Sequence, residues 1–387
     1  MKNRQYLFLL ALFRVSRSLA AGLIAIAFPY LVLRSLHQSA LILGLLYTSA
    51  AIATAAFGLF SGFLTDIWGQ KKTLVAVGLM LPASSALVFL SSGRLWVLFL
   101  ACMIGGYSAT GSLMGGGVGG AAQPIQIVSI AQLTTSENRT SVLSLFTFIS
   151  GIFAALGALA ARLFTVRDVF LAATLISLVG IATLAPLRLR EYRGSIRRLS
   201  SKNVIGKFSL TGALNGFASG LVIPFLIPFF VIVYHVPKSQ MSVYGFIAGA
   251  LGALALLAAP HLERFWGFVH TVAFTRGLGT ALLLLMPLSH LFPLALAIYL
   301  VTPAFRVMAV PVQQTAITEM VNFDEVGRAL GLNQVARLTS SSGGIAFTGY
   351  MFNISEIALP FYVYTVVMGL NIYLYYRFFK AMEDRLE

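Results

Sequence analysis

Five arginines lie inside long apolar runs of this 387-residue chain: Arg14, Arg17, Arg276, Arg306 and Arg337. A guanidinium is planar, always charged, and able to grip a carboxylate or phosphate through two parallel N–H bonds. Placed unpaired in hydrocarbon, each costs at least about 2.5–3.5 kcal/mol. The sequence offers no obvious internal counter-charge. Its acids fall at the ends of the runs, Glu319 alone being able to reach inward, and its histidines also sit at or near run ends. Buried positive charge without buried negative charge points to an anionic ligand.

Depth sorts the five. At 1.5 Å per residue, Arg17 lies about 16 Å along its run, Arg337 roughly 15 Å and Arg306 about 21 Å. All three depths meet near the centre of a core about 30 Å thick. Arg14 shares a face with Arg17 at i, i+3. It and Arg276 lie nearer an interface, where snorkelling or helix-end carbonyls account for them.

Amides at similar depth are the further candidates for ligand contact: Asn215, Gln313 and Gln314, with Asn333 and Gln334 beside them. The segment 95–134 is too long for one simple span, and Gly115–Gly120 interrupts it ahead of Gln123, Pro124 and Gln126. A helix restarting there would aim free N–H groups and a positive dipole end at an anion, with Gln123 and Gln126 in its first turns. Glycine also serves plain helix packing in membranes, and amides serve as interhelical glue.

The elements that must position these groups follow from composition. Hydrophobic residues make up 58% of the chain and charged ones 10%, against about 25% charged in a soluble domain. Such a chain could not cover itself in water. The net charge of +15 does not indicate nucleic acid, since the basic residues lie mostly between apolar runs. A single cysteine, Cys102, excludes an internal disulfide. Twelve runs of membrane-spanning length are read, at 6–33, 40–64, 73–91, 95–134, 140–163, 168–187, 208–234, 241–260, 268–288, 292–320, 327–352 and 357–379. With both termini on one side, seventeen Lys and Arg fall there and five (Arg34, Arg94, Arg162, Arg167, Lys238) on the other. The positive-inside rule then makes the termini cytoplasmic. The fold class is all-α and membrane-embedded: a bundle 1–187, a basic cytoplasmic linker 188–207, and a bundle 208–387.

The two bundles repeat. Phe63-Leu-Thr-Asp-Ile-Trp-Gly69 and His261-Leu-Glu-Arg-Phe-Trp-Gly267 share Leu, Trp and Gly at the same spacing, 198 residues apart. Glu137-Asn-Arg139 and Glu325-Val-Gly-Arg328 match in the same sense. Parallel repeats related by an axis along the membrane normal are a transporter architecture, with the ligand held between them at mid-depth.

The stretch Gly62-Phe-Leu-Thr-Asp66-Ile-Trp-Gly69-Gln-Lys71-Lys72 resembles the signature loop between helices two and three of the major facilitator superfamily. The resemblance extends to the twelve spans, the central linker and the degenerate second copy. It implies two pseudo-symmetric six-helix bundles that alternate access to a central site, no enzymatic activity, no cofactor, and a monomer in the cell membrane. It implies a conformational latch of Gly62, Asp66, Gly69, Lys71 and Lys72, with Asp66 meeting the start of helix eleven near Arg328. Helices one, four, seven and ten line the cavity in that family, which puts Arg17 and Arg306 on lining helices. The pattern departs from drug antiporters in two places. No Arg stands early in helix four, which reads Leu-Ala-Cys102-Met-Ile-Gly-Gly, and helix five keeps Ser150-Gly151 without the Pro.

The function expected is secondary active or facilitative transport of a small organic or phosphorylated anion, bound by Arg17, Arg306, Arg337, Gln123, Gln126, Asn215, Gln313 and Gln314. Its partners are then that small molecule and the lipid bilayer, with no nucleic acid. Two alternatives stay open: export of amphipathic or cationic drug-like compounds, and a non-transporting membrane sensor or scaffold.

Overall fold

The computed structural model describes residues 2–91, 93–107, 125–126, 129–130, 133–134, 136–187, 201–289, 291–321 and 325–384. Within these, helices coincide with all twelve expected runs: α1 Lys2–Tyr30, α2 Ala40–Trp68, α3 Gln70–Leu90, α4 Leu95–Gly105, α5 Ser136–Ala160, α6 Asp168–Ala182, α7 Lys202–Val222, α8 Lys238–Ala255, α9 Ala259–Leu285, α10 Phe292–Met320, α11 Val326–Asn353 and α12 Leu359–Glu383. Helices are what a membrane demands, since lipid offers backbone groups no partner. Among the described residues, seven stretches are long and apolar enough to cross a bilayer by length and composition. Large apolar side chains such as Phe60, Leu175, Val179 and Val366 stay exposed on the outside, the reverse of a water-soluble surface.

Boundaries differ from expectation where proline and glycine act. α1 runs into a π-helical turn, Leu31–Ser35, after Pro29. The span of α7 continues through a turn at Ile223–Phe225 and a segment Leu226–Val233, around Pro224 and Pro228. α7 also begins at Lys202, so the last residues of the expected linker 188–207 are already helical. α4 ends at Gly106 in the left-handed region, earlier than the expected interruption. Gly115–Gly120 and Gln123 lie outside the described residues.

The internal repeat is plain in the backbone. Gly69 (φ 82, ψ 158) starts α3, and Gly267 (φ 72, ψ 173) breaks α9, 198 residues on. Four residues past each glycine a threonine donates back to its carbonyl: Thr73 to Gly69 at 2.9 Å and Thr271 to Gly267 at 2.7 Å. At the opposite end His37 and His235, also 198 apart, both hold positive φ (49 and 53). Beside them Gln38 N–H donates to Val32 O at 2.9 Å and Val236 N–H to Phe230 O at 3.2 Å. The same spacing relates Gly22 to Gly220. A side chain at Gly22 would overlap the Ala154 carbonyl of α5, and one at Gly220 the Ser341 carbonyl of α11. Small residues let backbones meet closely in membranes, so α1 packs on α5 as α7 packs on α11.

These contacts give the molecule two unlike ends. At the end far from the chain termini one apolar core runs through both bundles, from Leu43 and Tyr47 to Phe225, Phe230 and Phe352. At the terminal end the core divides. Leu10, Phe13, Leu74 and Phe146 form one body, while Phe208, Val269, Val312 and Phe379 form another. The described hydrogen bonds between bundles lie at the far end. Tyr30 Oη donates to Val236 O at 2.6 Å and Arg34 Nη2 to Val231 O at 2.8 Å. Lys238 Nζ donates to Ala161 O at 2.6 Å and also to Phe164 O. Each cation thus caps the C-terminal carbonyls of a helix in the other bundle, where the macrodipole favours positive charge. Among the described residues, the closed end is the far one.

Gly267 is also a testable joint. Its Cβ would meet the Glu383 carboxylate, whose Oε1 accepts from Val269 N–H at 3.1 Å. Gly267→Ala forces an L side chain into left-handed backbone and disturbs this cap, so it should cost about 2–4 kcal/mol. Thermal unfolding in detergent reads this, with Gly277→Ala as the control because nothing lies within 4 Å of its Cβ. Equal melting temperatures for the two variants would refute the joint.

Candidate functional site

Close packing of α1 on α5 sets the first cluster. Arg14 donates from Nε to Ser150 Oγ at 3.1 Å and from Nη1 to Gln126 Oε1 at 2.7 Å. Ser18 and Ser150 share a hydroxyl contact at 2.6 Å. Arg17, one turn on, is buried, with its guanidinium carbon 5.4 Å from the Phe13 ring centre. Arg17 and Asn215 are 198 residues apart, the same place on α1 and α7. Asn215 is half-buried.

The second cluster spans α9 to α12. Arg276 Nη1 donates to Asn371 Oδ1 at 2.8 Å and Nη2 to Gln313 Oε1 at 2.5 Å. Asn371 in turn donates to Thr211 O of α7 at 2.6 Å, and the Tyr375 ring centre lies 5.3 Å from the guanidinium. One arginine therefore ties four helices. Arg337 Nη2 donates to Gln334 Oε1 at 2.8 Å, one turn back on α11. Arg306 projects its stem toward α9 where Gly279 leaves room, and has no hydrogen-bond partner among the described residues. It lies within electrostatic reach of Arg337 and Tyr364, and Arg276 within reach of Arg337 and Tyr364 too. Three positive charges thus gather in this bundle, and their partners among the described residues are neutral.

Two expectations need correction. Arg14 and Arg276 are both buried, and their partners among the described residues are side-chain amides and a hydroxyl from other helices. Hydropathy gives depth but not the direction in which a side chain faces, so their partners were invisible. Asn371 and Tyr364 were not singled out either, although Asn371 carries the same signal as the amides that were. Gln126 accepts from Arg14 and Gln313 from Arg276. Gln123 lies outside the described residues, and the side chains of Gln314, Asp66 and Arg328 do too. In the signature loop, Lys71 Nζ donates to Ala185 O at 2.6 Å within its own bundle, and Lys72 is exposed. A recess at the closed end, lined by Phe229, Val233, Tyr234, Ser289 and Ile357, contains none of the five arginines. No cluster of three metal-ligating side chains occurs among the described residues.

The buried staple predicts a stability effect. Arg276→Met leaves Gln313 Oε1 and Asn371 Oδ1 without their donor, and each stranded acceptor costs about 1–3 kcal/mol. A melting temperature unchanged from wild type would exclude the staple; restoring part of the loss by adding Asn371→Leu would support it.

Comparison with known proteins completes the picture. Multidrug resistance protein 1 of Bacillus subtilis (strain 168) is 25% identical over 369 residues, covering 88% of each chain. Among solved structures, the human organic anion transporter MFSD10 (TETRAN) superposes with a TM-score of 0.71 at 13% identity, over 97% of this chain and all of the other (100%). The nucleoside transporter NupG gives 0.75 at 11% identity, over 97% and 100%. The D-xylose-proton symporter gives 0.72 at 14%, over 97% of both. At these identities the structural likeness shows the fold. Residues 10–302 match the family described as Major Facilitator Superfamily. That match spans most of the chain and settles the family: the protein belongs to the Major Facilitator Superfamily of membrane transporters.

Proposed function

We propose that this transporter carries a small organic or phosphorylated anion by alternating access, bundles 1–187 and 208–387 rocking about a central site and joined by 188–207. The observation that carries the reading is the arginine trio of α9, α10 and α11, whose partners among the described residues are neutral amides. Amide oxygens solvate a guanidinium but leave its net charge in place. A ligand carboxylate or phosphate would cancel it, with Arg306 and Arg337 as the anchoring pair. Gln313 and Gln314 of α10, and Arg17, Asn215 and Gln126, with Gln123, from other helices, would complete the site.

With the termini cytoplasmic, as the basic residues favour, the divided end faces the cytoplasm and the door at Arg34 and Lys238 is external. The latch of Gly62, Asp66, Gly69, Lys71 and Lys72 would then engage Arg328 and the start of α11 only after the bundles rock the other way. A carboxylate at a helix N-terminus is stabilised by about 0.3–1 kcal/mol, enough to bias such an equilibrium without locking it.

A second reading has its own support. The Bacillus subtilis relative is named for multidrug resistance, which favours export of amphipathic or cationic compounds. A thermal-shift screen of the purified protein separates the two. The anion reading expects stabilisation by carboxylates or phosphomonoesters and none by lipophilic cations such as tetraphenylphosphonium. Stabilisation by the cations alone would replace it with the drug reading.

A further inference from the structure

The hydrogen bonds of the arginines carry a second consequence, about which anions fit. A guanidinium has N–H donors only. An amide facing one must therefore present its oxygen, because the flipped amide would set donor against donor. This fixes the orientation of Gln313 and Asn371 against Arg276 and of Gln334 against Arg337. The same holds in the first bundle, where Gln126 gives its oxygen to Arg14. What each amide has left is its NH2 group. That of Asn371 is used on the Thr211 carbonyl. The Nε2 groups of Gln313 and Gln334 have no acceptor among the described residues, and Arg306 adds its own N–H groups to the same neighbourhood. On α11 the oxygen of Asn333, Oδ1, is buried without a partner and closed off by α7, where a side chain at Gly212 would overlap it.

We infer that the arginines convert this part of the site into a surface of hydrogen-bond donors, so that it selects anions whose contacting groups are acceptors alone. The inference rests on the anion reading above and sharpens it to a ligand class: carboxylates or phosphoesters carrying ether, ester or carbonyl oxygens, rather than amides or N–H heterocycles. A ligand N–H placed here would face an N–H of the protein. The penalty is that of a donor buried without a partner, about tenfold or more in affinity.

The test uses matched pairs of equal charge and similar size, titrated calorimetrically into the full-length protein in detergent. Monomethyl succinate is paired with succinamate, and benzofuran-2-carboxylate with indole-2-carboxylate; the second member of each adds N–H donors. In any pair that binds, the N–H member should be weaker by about tenfold or more. Gln313→Glu, which replaces a donor with an acceptor, should narrow or reverse that preference, and Gln334→Glu serves if the first variant does not fold. Equal or tighter binding of the N–H members overturns this inference and leaves the anion reading standing. If none of the four anions binds and tetraphenylphosphonium does, the anion reading falls and this inference with it.

Discussion

Arg306→Gln should weaken substrate binding by about ten- to a hundredfold, the worth of a charge-assisted hydrogen bond at about 1.5–3 kcal/mol, and transport should fall with it. The same change should leave the folded protein as stable as wild type, or more so. Arg306 has no hydrogen-bond partner among the described residues and is repelled by Arg337. Removing it relieves like-charge repulsion and part of the penalty for an embedded cation. Opposite signs for function and stability distinguish a ligand contact from a structural one. Arg276 makes the contrast, since its removal strands two acceptors and should destabilise. Uptake by reconstituted vesicles, read beside melting temperature, checks both. Arg306→Gln with full transport would remove it from the site, and a large loss of stability would make it structural.

The second large effect is expected at the closed door. Gly349 of α11 lies against Gly44 of α2, and a Cβ on Gly349 would sit 2.8 Å from the Gly44 Cα and 3.3 Å from Ala40 O. Both neighbours are backbone, so nothing can swing aside. Gly349→Val should therefore prop the far end open and stop the cycle, with little loss of folded protein because each bundle keeps a separate core at the terminal end. The readout is labelling of a cysteine at Thr48, whose hydroxyl donates to Ser342 O across the same seam at 3.4 Å. With the native Cys102, which is buried, replaced by Ala, an impermeant thiol reagent should label Thr48→Cys more than about tenfold faster once Gly349 is Val. That magnitude corresponds to a shift of roughly 1.4 kcal/mol or more in the equilibrium between states. Unchanged labelling together with normal uptake would mean that α2 and α11 do not form the door.

Much of this architecture was legible in the residues. Each of the twelve apolar runs coincides with a helix among the described residues, because lipid leaves the backbone few alternatives. The Trp-Gly spacing at 68–69 and 266–267 announced the repeat, and its reason is now visible: both glycines hold a conformation that other residues resist. The pairing of His37 with His235 was not legible, since positive φ at a histidine leaves no mark in composition. Helix four shows the limit of counting. Its first segment ends at Gly106, ahead of the glycine-rich stretch, which lies outside the described residues.

The candidate site was legible only in outline. The residues give the charges and an expected depth; the side chain of Glu319, the one acid expected to reach inward, lies outside the described residues. Sequence could not tell which arginines are held and which are not, because that depends on where each helix turns its face. The partners of Arg14 lie 112 and 136 residues away, and Asn371 lies 95 residues from Arg276. Two arginines dismissed as interfacial thus became buried staples. Arg306, expected in the site with Arg17 and Arg337, stands apart within the trio Arg276, Arg306 and Arg337 as the one without a hydrogen bond among the described residues.

The most direct test is a cryo-electron microscopy map of the protein with the anion that gives the largest thermal shift. Density bridging the guanidinium groups of Arg306 and Arg337, facing Arg17 and Asn215 across the cavity, is the expected result. Density for that anion at the recess near Tyr234, or a bound cation against the same arginines, would contradict the claim that the substrate neutralises them.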